Sequence, residues 1–298
     1  MKIISGTSNR VLATSIAQKL NLKLIDTEIS KFKNGEKRVW IKENLNGENV
    51  VLVQSLSEPV DEFIIETLLI TDALERAGAR NVNLVMPWMG YSLQDKLFRA
   101  GEPMSAKVIS DLISHTYIKR IHLLDLHNTS IPGFFSLPTH HHSAMGLFKE
   151  YIKKKVALEK AIVVSPDFGG LKRARLLADE LDLNLANIDK HRDLSTGKVT
   201  PMGVTGAIEG KICLIYDDVI NTGSTVIEVA KFLKSHGAKE VHFFVAHALF
   251  AQNGVTMMTD ESINSVVITN SIHHKELPEK IIVLDTAEIF VKALKTWM

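Results

Sequence analysis

The segment formed by residues 212–225 constrains the fold more than any other part of the 298-residue chain. It opens with five apolar residues, Ile-Cys-Leu-Ile-Tyr, which predict a buried strand over residues 211–216. Asp217 and Asp218 follow at once, then a loop of small residues, then a predicted helix over residues 226–236 that Gly237 ends. Open α/β sheets bind their ligands at the carboxyl ends of strands. The segment therefore predicts an α/β fold with a ligand site beside Asp217 and Asp218.

The same alternation of strand and helix occurs in both halves of the chain. Apolar runs predict strands over residues 2–5, 50–54, 83–86, 121–126, 161–165, 184–188 and 240–247, and amphipathic runs predict helices over residues 11–20, 61–77 and 170–181. Ser8 or Asn9 would cap the first helix, and Gly78 would end the second. Strand, helix and strand in that order imply parallel sheets with right-handed crossovers. We expect two doubly wound α/β domains, residues 1–143 and 144–298.

Composition excludes several classes of protein. Lys and Arg number 35 against 34 Asp and Glu, a formal net charge of +1, which argues against a nucleic-acid polymer as partner. Cys213 is the single cysteine, so neither an intramolecular disulfide nor a multi-cysteine metal site is expected. No apolar run reaches the roughly 18 residues of a membrane span, and residues 1–6 do not resemble a signal peptide. We expect a cytoplasmic protein that does not bind membranes.

The residues around Asp217 suit a phosphorylated sugar. The backbone N–H groups of Thr222, Gly223, Ser224 and Thr225, together with the start of the helix, can form a cradle for a phosphate. The carboxylates before the loop can accept hydrogen bonds from sugar hydroxyls. A phosphorylated sugar satisfies both features at once. The alternative is a turn in which an aspartate merely caps the helix.

This stretch resembles the phosphoribosyl-binding loop of type I phosphoribosyltransferase-like proteins, and further motifs are similar to the ribose-phosphate diphosphokinase (PRPP synthetase) family. Each motif is short, but together they follow the family order from about residue 32 to about residue 250. They are Phe32-Lys33-Asn34-Gly35-Glu36, residues 87–95, residues 101–107, Asp125-Leu126-His127 with Gly133-Phe134-Phe135, residues 164–174, and residues 188–192.

The resemblance implies transfer of the pyrophosphoryl group of ATP to the C1 hydroxyl of ribose 5-phosphate. The products are PRPP and AMP, the cofactor is Mg²⁺, and the reaction feeds nucleotide biosynthesis. Both domains would have the type I phosphoribosyltransferase-like fold. The first would carry most ATP-side motifs and the second the ribose 5-phosphate loop. Because the family builds its nucleotide site between subunits, a homo-oligomer is implied, at least a dimer and up to a hexamer.

The resemblance also assigns residues to the transferring group. Lys190 would be the catalytic lysine and Arg192 would stabilise charge and contact ribose 5-phosphate, both in a polar lid over residues 190–203. Solvated loop cations are the alternative. The ribose 5-phosphate contacts would be completed by Asp217 and Asp218, and by Asn221 with the loop over residues 222–225.

A second phosphate loop is expected at Asp167, Phe168, Gly169 and Gly170, where it would bind pyrophosphate, with Asp167 holding Mg²⁺ directly or through water. An aspartate that caps the next helix is compatible with this role. His127 maps onto the metal-side histidine of the family, next to ATP.

On the ATP side, Phe32 would stack on adenine, while Asn34, Gly35 and Glu36 would contact the nucleotide from the same turn. A core aromatic is the alternative for Phe32. Gln94 and Asp95 would meet the same nucleotide. The run of three histidines at residues 140–142 is interpreted as a polar turn, because consecutive residues do not converge on one metal ion.

The sequence also departs from the family pattern. Leu93 stands where the family has an arginine, and Asn34 and Asn221 stand where it has aspartates. Residues 127–132 lack two glutamines, and Pro132 has no N–H, which argues against the family's regulation by phosphate and ADP. Two alternatives to an active enzyme follow: a catalytically weak regulatory homologue, and a phosphoribosyltransferase that consumes PRPP.

Overall fold

The computed structural model describes the backbone of residues 1–192 and 199–297, and the side chains of residues 1–189 and 203–297. The chain forms two compact units. The first contains residues 1–143, residues 270–273 and the C-terminal segment from Asp285 onward; the second contains residues 144–269 and 274–284. One division between the units falls after residue 143, and residues 270–273 and the segment from Asp285 onward, which the sequence-based expectation placed in the second domain, belong to the first unit.

The first unit is built on five parallel strands in the order β1-β4-β5-β6-β7, and β2 and β3 form a separate antiparallel hairpin. The elements are β1 (Lys2–Ser5), α1 (Arg10–Lys19), β2 (Thr27–Lys31), β3 (Lys37–Ile41), β4 (Asn49–Val53), α2 (Val60–Arg76), β5 (Asn81–Met86), α3 (Ser105–Ser114), β6 (Ile118–Leu124) and β7 (Thr139–His142).

The order of winding reverses next to β1. A parallel bridge joins Ile3 to Leu24, so the chain after α1 runs along the side of β1 that faces away from β4. From β4 the chain winds in the other direction, through α2 to β5. The switch point of this sheet therefore lies between β1 and β4, which makes the sheet doubly wound as expected.

The second unit has seven strands in the order β10-β9-β8-β11-β12-β13-β14, and within the described residues only β9 and β10 pair antiparallel. The elements are α4 (Met145–Lys155), β8 (Ala161–Ser165), α5 (Leu171–Leu181), β9 (Leu185–Arg192), β10 (Val199–Thr205), β11 (Ile212–Ile220), α6 (Ser224–Ser235), β12 (Glu240–Ala248), α7 (Gly254–Met257), β13 (Ser265–Thr269) and β14 (Ile281–Leu284). The winding reverses between β8 and β11. The last helix, α8 (Ala287–Lys295), packs on α1 in the first unit.

Helix ends follow the predicted signals. The Asn9 side chain accepts a hydrogen bond from the Leu12 N–H at 3.2 Å and so caps α1. Gly78 follows the end of α2 with φ +86°, and Gly237 follows the end of α6 with φ +85°. Each unit has its own apolar core between sheet and helices, centred on residues such as Leu52 and Leu84 in the first and Ile215 and Phe243 in the second.

Two sequence-based expectations about local structure are wrong. Strand β11 does not end at Tyr216 but continues through Asp217 and Asp218 to Ile220, because pairing with β12 extends to Ile220 opposite Ala248. The three histidines are not a turn: they form β7, which pairs with β6.

The geometry of β7 sends its three histidines to two faces of the sheet. His140 and His142 stack on His122 of β6, at ring-centroid distances of 5.2 and 5.3 Å. His141 instead accepts a hydrogen bond from the Leu126 N–H at its Nε2. Side chains alternate across a strand, so the middle ring points to the opposite face.

Candidate functional site

The two loops expected to bind phosphate flank the switch point of the second unit. The loop over residues 166–170 follows β8, and the loop over residues 221–223 follows β11, the strand beside it. β8 pairs with β11 only as far as Val164 opposite Ile215, so the sheet opens on this side before the acidic pair. Ligands enter doubly wound sheets at this point.

Arg173 lies in the first turn of α5 and reaches the acidic pair of β11. Its Nη1 donates a hydrogen bond to Asp217 Oδ1 at 2.7 Å and to Asp218 Oδ1 at 3.1 Å. The Asp217 side chain is one-third exposed, whereas that of Asp218 is 6% exposed. The Asp218 N–H also donates to Asp217 Oδ1. The guanidinium therefore links α5 to both predicted sugar-binding carboxylates.

The titration of Asp217 reflects this crowding. Burial raises the pKa of its carboxyl, and the neighbouring Asp218 carboxylate raises it further. The Arg173 charge lowers the pKa and opposes both effects without cancelling them. The Arg173 cation therefore favours the ionised, hydrogen-bond-accepting form of Asp217.

The loop after β11 depends on one glycine. Gly223 has φ +86°, and a Cβ added to it would lie 2.6 Å from Cε of Met258. Helix α6 begins at Ser224 without a capping side chain, so its first N–H groups face the loop. The alternative in which an aspartate caps this helix is wrong. Ser224 and Thr225 lie in its first turn, and Thr222 Oγ1 lies 3.1 Å from Ser224 Oγ.

In the loop after β8, Asp167 stabilises the start of α5. Its Oδ1 accepts a hydrogen bond from the Gly170 N–H at 2.9 Å, and the Ser165 hydroxyl donates to its backbone carbonyl. Gly169 and the ring of Phe168 are exposed. Asp167 thus has the capping role, which is compatible with the predicted phosphate and Mg²⁺ roles of this loop.

The backbone of Lys190 and Arg192 belongs to β9, which pairs with β10. Their side chains, and residues 193–198 of the expected lid, lie outside the described part of the chain.

In the first unit, the predicted ATP-side turn, residues 32–36, connects the two strands of the β2–β3 hairpin. Phe32 is 53% exposed, so the core-aromatic alternative is wrong. The Glu36 N–H donates to Asn34 Oδ1, and Gly35 has φ +90°. The Phe32 N–H donates to the Glu36 carbonyl at 2.8 Å. The turn presents an aromatic ring and polar side chains to its surroundings.

The other ATP-side residues lie at the carboxyl end of the first sheet. Gln94 Oε1 accepts from the Ser105 hydroxyl at 2.7 Å, and Asp95 Oδ2 accepts from Asn128 Nδ2 at 2.6 Å. Asn128 follows the exposed His127, so the structure brings this histidine into the same region as Asp95. Among the described residues, no hydrogen bond joins the hairpin turn to Gln94 or Asp95.

A cavity of about 620 Å³ lies beside Gln94. Its other lining residues are Glu58, Pro59, Val60, Asp61, Glu62 and Tyr91. Lys31, the residue before the hairpin turn, pairs with Glu62 at 2.8 Å. The acidic lining can accept hydrogen bonds from a base or ribose but repels phosphates.

Comparison with known proteins decides the family. The model described as the N-terminal domain of ribose phosphate pyrophosphokinase matches residues 1–116, and that of the phosphoribosyl transferase domain matches residues 138–279. The ribose-phosphate pyrophosphokinase of Fusobacterium nucleatum is 39% identical over 99% of this chain and 94% of its own length. That of Thermotoga maritima is 36% identical, with the same coverage of both chains. The chain belongs to the ribose-phosphate pyrophosphokinase family.

A solved structure supports the same assignment. The phosphoribosylpyrophosphate synthetase of Mycobacterium smegmatis is 30% identical and superposes with a TM-score of 0.92, covering 99% of this chain and 98% of that one. The expected fold, two type I phosphoribosyltransferase-like domains with parallel sheets flanked by helices, is confirmed. The family match extends across both units, which the alternative of a simple phosphoribosyltransferase does not explain.

Sequence reasoning missed the contribution of Arg173. It lies within a motif similar to the family, but no role followed from its position in the chain. The sequence did contain a signal for this role. Arg173 comes three positions after Gly170, in the first turn of the helix that follows β8, and the neighbouring strand β11 carries two acidic residues near its end. No membrane-crossing helix of sufficient length and apolarity occurs within the part of the chain described by the structure.

Proposed function

We propose that this chain catalyses the Mg²⁺-dependent transfer of the β,γ-pyrophosphoryl group of ATP to the C1 hydroxyl of ribose 5-phosphate. One observation carries the proposal: Asp217 and Asp218 meet Arg173 at a switch point flanked by two phosphate-type loops. A sugar phosphate and a pyrophosphoryl group each need such a loop, and the sugar needs acceptors between them. The oxygen of the C1 hydroxyl attacks the β-phosphorus and gives up its proton, the bond from that phosphorus to the oxygen bridging to the α-phosphorus breaks, and AMP leaves.

The loop after β11 would bind the 5-phosphate. Gly223 brings the backbone close to the ligand, and the uncapped start of α6 supplies N–H donors. Asn221, Thr222, Ser224 and Thr225 complete this loop. Asp217 and Asp218 would accept hydrogen bonds from the ribose hydroxyls, and Arg173 would hold both carboxylates in place.

The loop over residues 167–170 would bind the pyrophosphoryl group. Mg²⁺ prefers oxygen ligands, usually one or two carboxylates together with substrate phosphates, and Asp167 offers a carboxylate of this type. The ion would neutralise phosphate charge and orient the reacting groups. His127 is a poorer match to Mg²⁺ by donor type, and we assign it to the nucleotide side. Lys190 and Arg192 would stabilise charge on the transferring group.

A second copy of the chain would complete the nucleotide site. The turn around Phe32 is exposed, and within the described residues no hydrogen bond joins it to Gln94 or Asp95 of the same unit, so the turn is available to a neighbouring subunit. An apolar stripe on α2 and α3 supports self-association: Ile65, Leu69, Val108 and Leu112 are all exposed. Ile65 and Val108 line one cavity of about 310 Å³. Contiguous exposed apolar surface is typical of interfaces.

The experiment is incubation of the purified chain with ATP, Mg²⁺ and ribose 5-phosphate, with AMP and PRPP followed by chromatography. Wild type should form both in equal amounts, and Lys190→Ala should form neither at a comparable rate. A regulatory homologue would give no AMP above the Lys190→Ala control. A phosphoribosyltransferase would consume added PRPP only with a nitrogenous base. We place the reaction in the cytoplasm, where ATP and sugar phosphates are available.

A further inference from the structure

A buried ion pair lies directly behind the predicted nucleotide turn. Lys37, the first residue of β3 and the neighbour of Glu36, places its Nζ 2.5 Å from Glu66 Oε2 on α2. The Lys37 side chain is 10% exposed and that of Glu66 is 0% exposed. A buried charge is costly unless it is paired and hydrogen-bonded, so this arrangement needs a physical reason.

The position of Lys37 in its strand is unusual. Residues 37, 39 and 41 share one face of β3, and Val39 and Ile41 on that face pack against the apolar core. Lys37 therefore points inward in a row that is otherwise apolar. Its ammonium group also lies 5.2 Å from the centre of the Phe63 ring and 3.6 Å from Glu62. The cation is held from several sides by α2.

The Glu66 carboxylate is also hydrogen-bonded by residues that follow two strands of the sheet. Its Oε1 accepts hydrogen bonds from the Thr7 N–H at 2.6 Å and from Gln54 Nε2 at 2.9 Å, and the Thr7 hydroxyl donates to the same carboxylate. Gln54 in turn accepts from the Ser8 N–H and hydroxyl. Gly6 is required here, because a Cβ at this position would lie 2.1 Å from Gln54 Oε1.

These donors occupy the switch point of the first unit. Thr7 and Ser8 follow β1, and Gln54 follows β4, the two strands between which the winding reverses. The corresponding loops of the second unit are the proposed phosphate loops. In the first unit, the chain's own Glu66 carboxylate takes the hydrogen bonds that an anionic ligand would take at such a point.

The geometry points to Lys37 and Glu66 as positioning residues for ATP: the internal carboxylate at the first switch point anchors the hairpin that presents Phe32, Asn34 and Glu36 to the nucleotide. A two-stranded hairpin has little stability alone; Val39 and Ile41 hold its strand against the core, and Lys37 holds the end of that strand next to the turn. This inference rests on the proposed function, since it concerns the nucleotide side of that same reaction.

The test compares Lys37→Met with Arg38→Met, a change at the next residue of β3. Both remove a cation from the hairpin, but Arg38 is on the outer face and pairs at the surface with Glu28 of the same hairpin. Lys37→Met should raise the KM for ATP about tenfold and weaken binding of α,β-methylene-ATP by a similar factor, because the turn is no longer held. The KM of Lys37→Met for ribose 5-phosphate, and both KM values of Arg38→Met, should stay within about twofold of wild type.

Two further variants make the test decisive. Glu66→Gln keeps the volume and an acceptor for Thr7 but removes the charge, so it should also raise the KM for ATP; it decides the question if Lys37→Met does not fold. The double variant, Lys37→Met with Glu66→Gln, should have an ATP KM no higher than that of Lys37→Met, because both substitutions remove the same ion pair. An unchanged ATP KM, or an equal rise in both substrate KM values, contradicts the positioning role. An inactive wild type contradicts the proposed function instead.

Discussion

Arg173 and Asp217 form the contact on which the candidate site depends: Nη1 of the arginine lies 2.7 Å from Oδ1 of the aspartate. The two residues come from α5 and β11, on opposite sides of the switch point. The Arg173 guanidinium thus fixes the position of the Asp217 carboxylate, which would select the sugar substrate. The contact also favours the ionised form of Asp217, since it lowers the pKa that burial and Asp218 raise.

Asp217→Asn should affect one substrate selectively. The amide keeps the shape but loses the charge, and hydrogen bonds to charged groups contribute about 1.5–3 kcal/mol. We expect the KM for ribose 5-phosphate to rise about tenfold or more, with the KM for ATP nearly unchanged. Steady-state kinetics with each substrate varied in turn would measure this. Equal rises for both substrates would refute a role confined to the sugar.

Arg173→Met should move the pH profile. The ionised form of Asp217 is the acceptor, so activity is present above its pKa and lost as pH falls through it. Because Arg173 lowers that pKa, its removal should shift the acid limb of kcat/KM for ribose 5-phosphate to higher pH. Profiles from pH 5 to 9 would be compared with those of Arg175→Met on the same helix. A limb that does not move would show that Arg173 leaves the carboxyl unaffected.

Gly223→Ala should destabilise the second unit. The φ of +86° strains any residue with a Cβ, and the added atom would also crowd Met258, whose side chain can move. We expect a loss of about 1–2 kcal/mol in the free energy of unfolding, together with a higher KM for ribose 5-phosphate. Urea unfolding followed by circular dichroism would be compared with Gly146→Ala, where an added Cβ meets no atom within 4 Å. Similar losses in the two variants would argue against a special role for Gly223.

The histidine stack should make the first unit sensitive to acid. Burial lowers the pKa of His122 to about 3 and that of His142 to about 4. The unfolded chain binds these protons below about pH 6.5, so unfolding becomes easier as pH falls from there toward 4, by about 1.4 kcal/mol per pH unit for each histidine. His142→Phe keeps a ring beside Phe290 and should remove one such contribution.

Tryptophan fluorescence is a suitable probe for that experiment. The three tryptophans, Trp40, Trp88 and Trp297, all belong to the first unit. Urea titrations at pH 4, 5, 6 and 7 would give the slope of stability against pH for both proteins. Identical slopes would mean that His142 is protonated equally in the folded and unfolded chain.

The apolar stripe on α2 and α3 should mediate self-association. Leu69→Glu and Val108→Glu each place a charge on this exposed surface and should lower the mass measured by sedimentation velocity. ATP-dependent activity should fall with the loss of assembly, since a neighbouring turn is expected at the nucleotide site. Leu176→Glu changes an exposed leucine on α5 and is the matched control. Unchanged mass in both stripe variants would exclude this surface as the interface.

Most central strands of both sheets were predicted from sequence for a simple physical reason. They are buried on both faces, so residues such as Val51, Leu84 and Leu214 lie in short apolar runs. The two loops at the second switch point were predicted with them, since each directly follows such a strand. The extension of β11 through Asp217 to Ile220 could not be predicted, because it depends on a ladder with β12.

Several elements were missed. The runs that form α3, β13, β14 and α8 have apolar patterns but were not predicted as elements, whereas two other elements lack such a pattern. The β2–β3 hairpin has an exposed outer face that includes Arg38 and Trp40, and its inner face depends on packing against distant residues of the first unit. β7 consists of a threonine and three histidines and pairs only at the sheet edge. Arg173 and Glu66 were missed as functional candidates because their partners lie 44 and 29 residues away in the chain. Such contacts follow from tertiary structure and not from local spacing.

The filled switch point of the first unit has a thermodynamic consequence. A dissolved ligand stabilises a fold by an amount that grows with the ratio of its concentration to its Kd. The Glu66 carboxylate is part of the chain, so its effective concentration at Thr7 is fixed and cannot be diluted. The stability of the first unit is therefore independent of metabolite supply at this point, while that of the second would vary with the sugar phosphate it binds. The first switch point would thus keep its internal anion at any metabolite concentration, whereas the second would be filled only when the sugar phosphate is present.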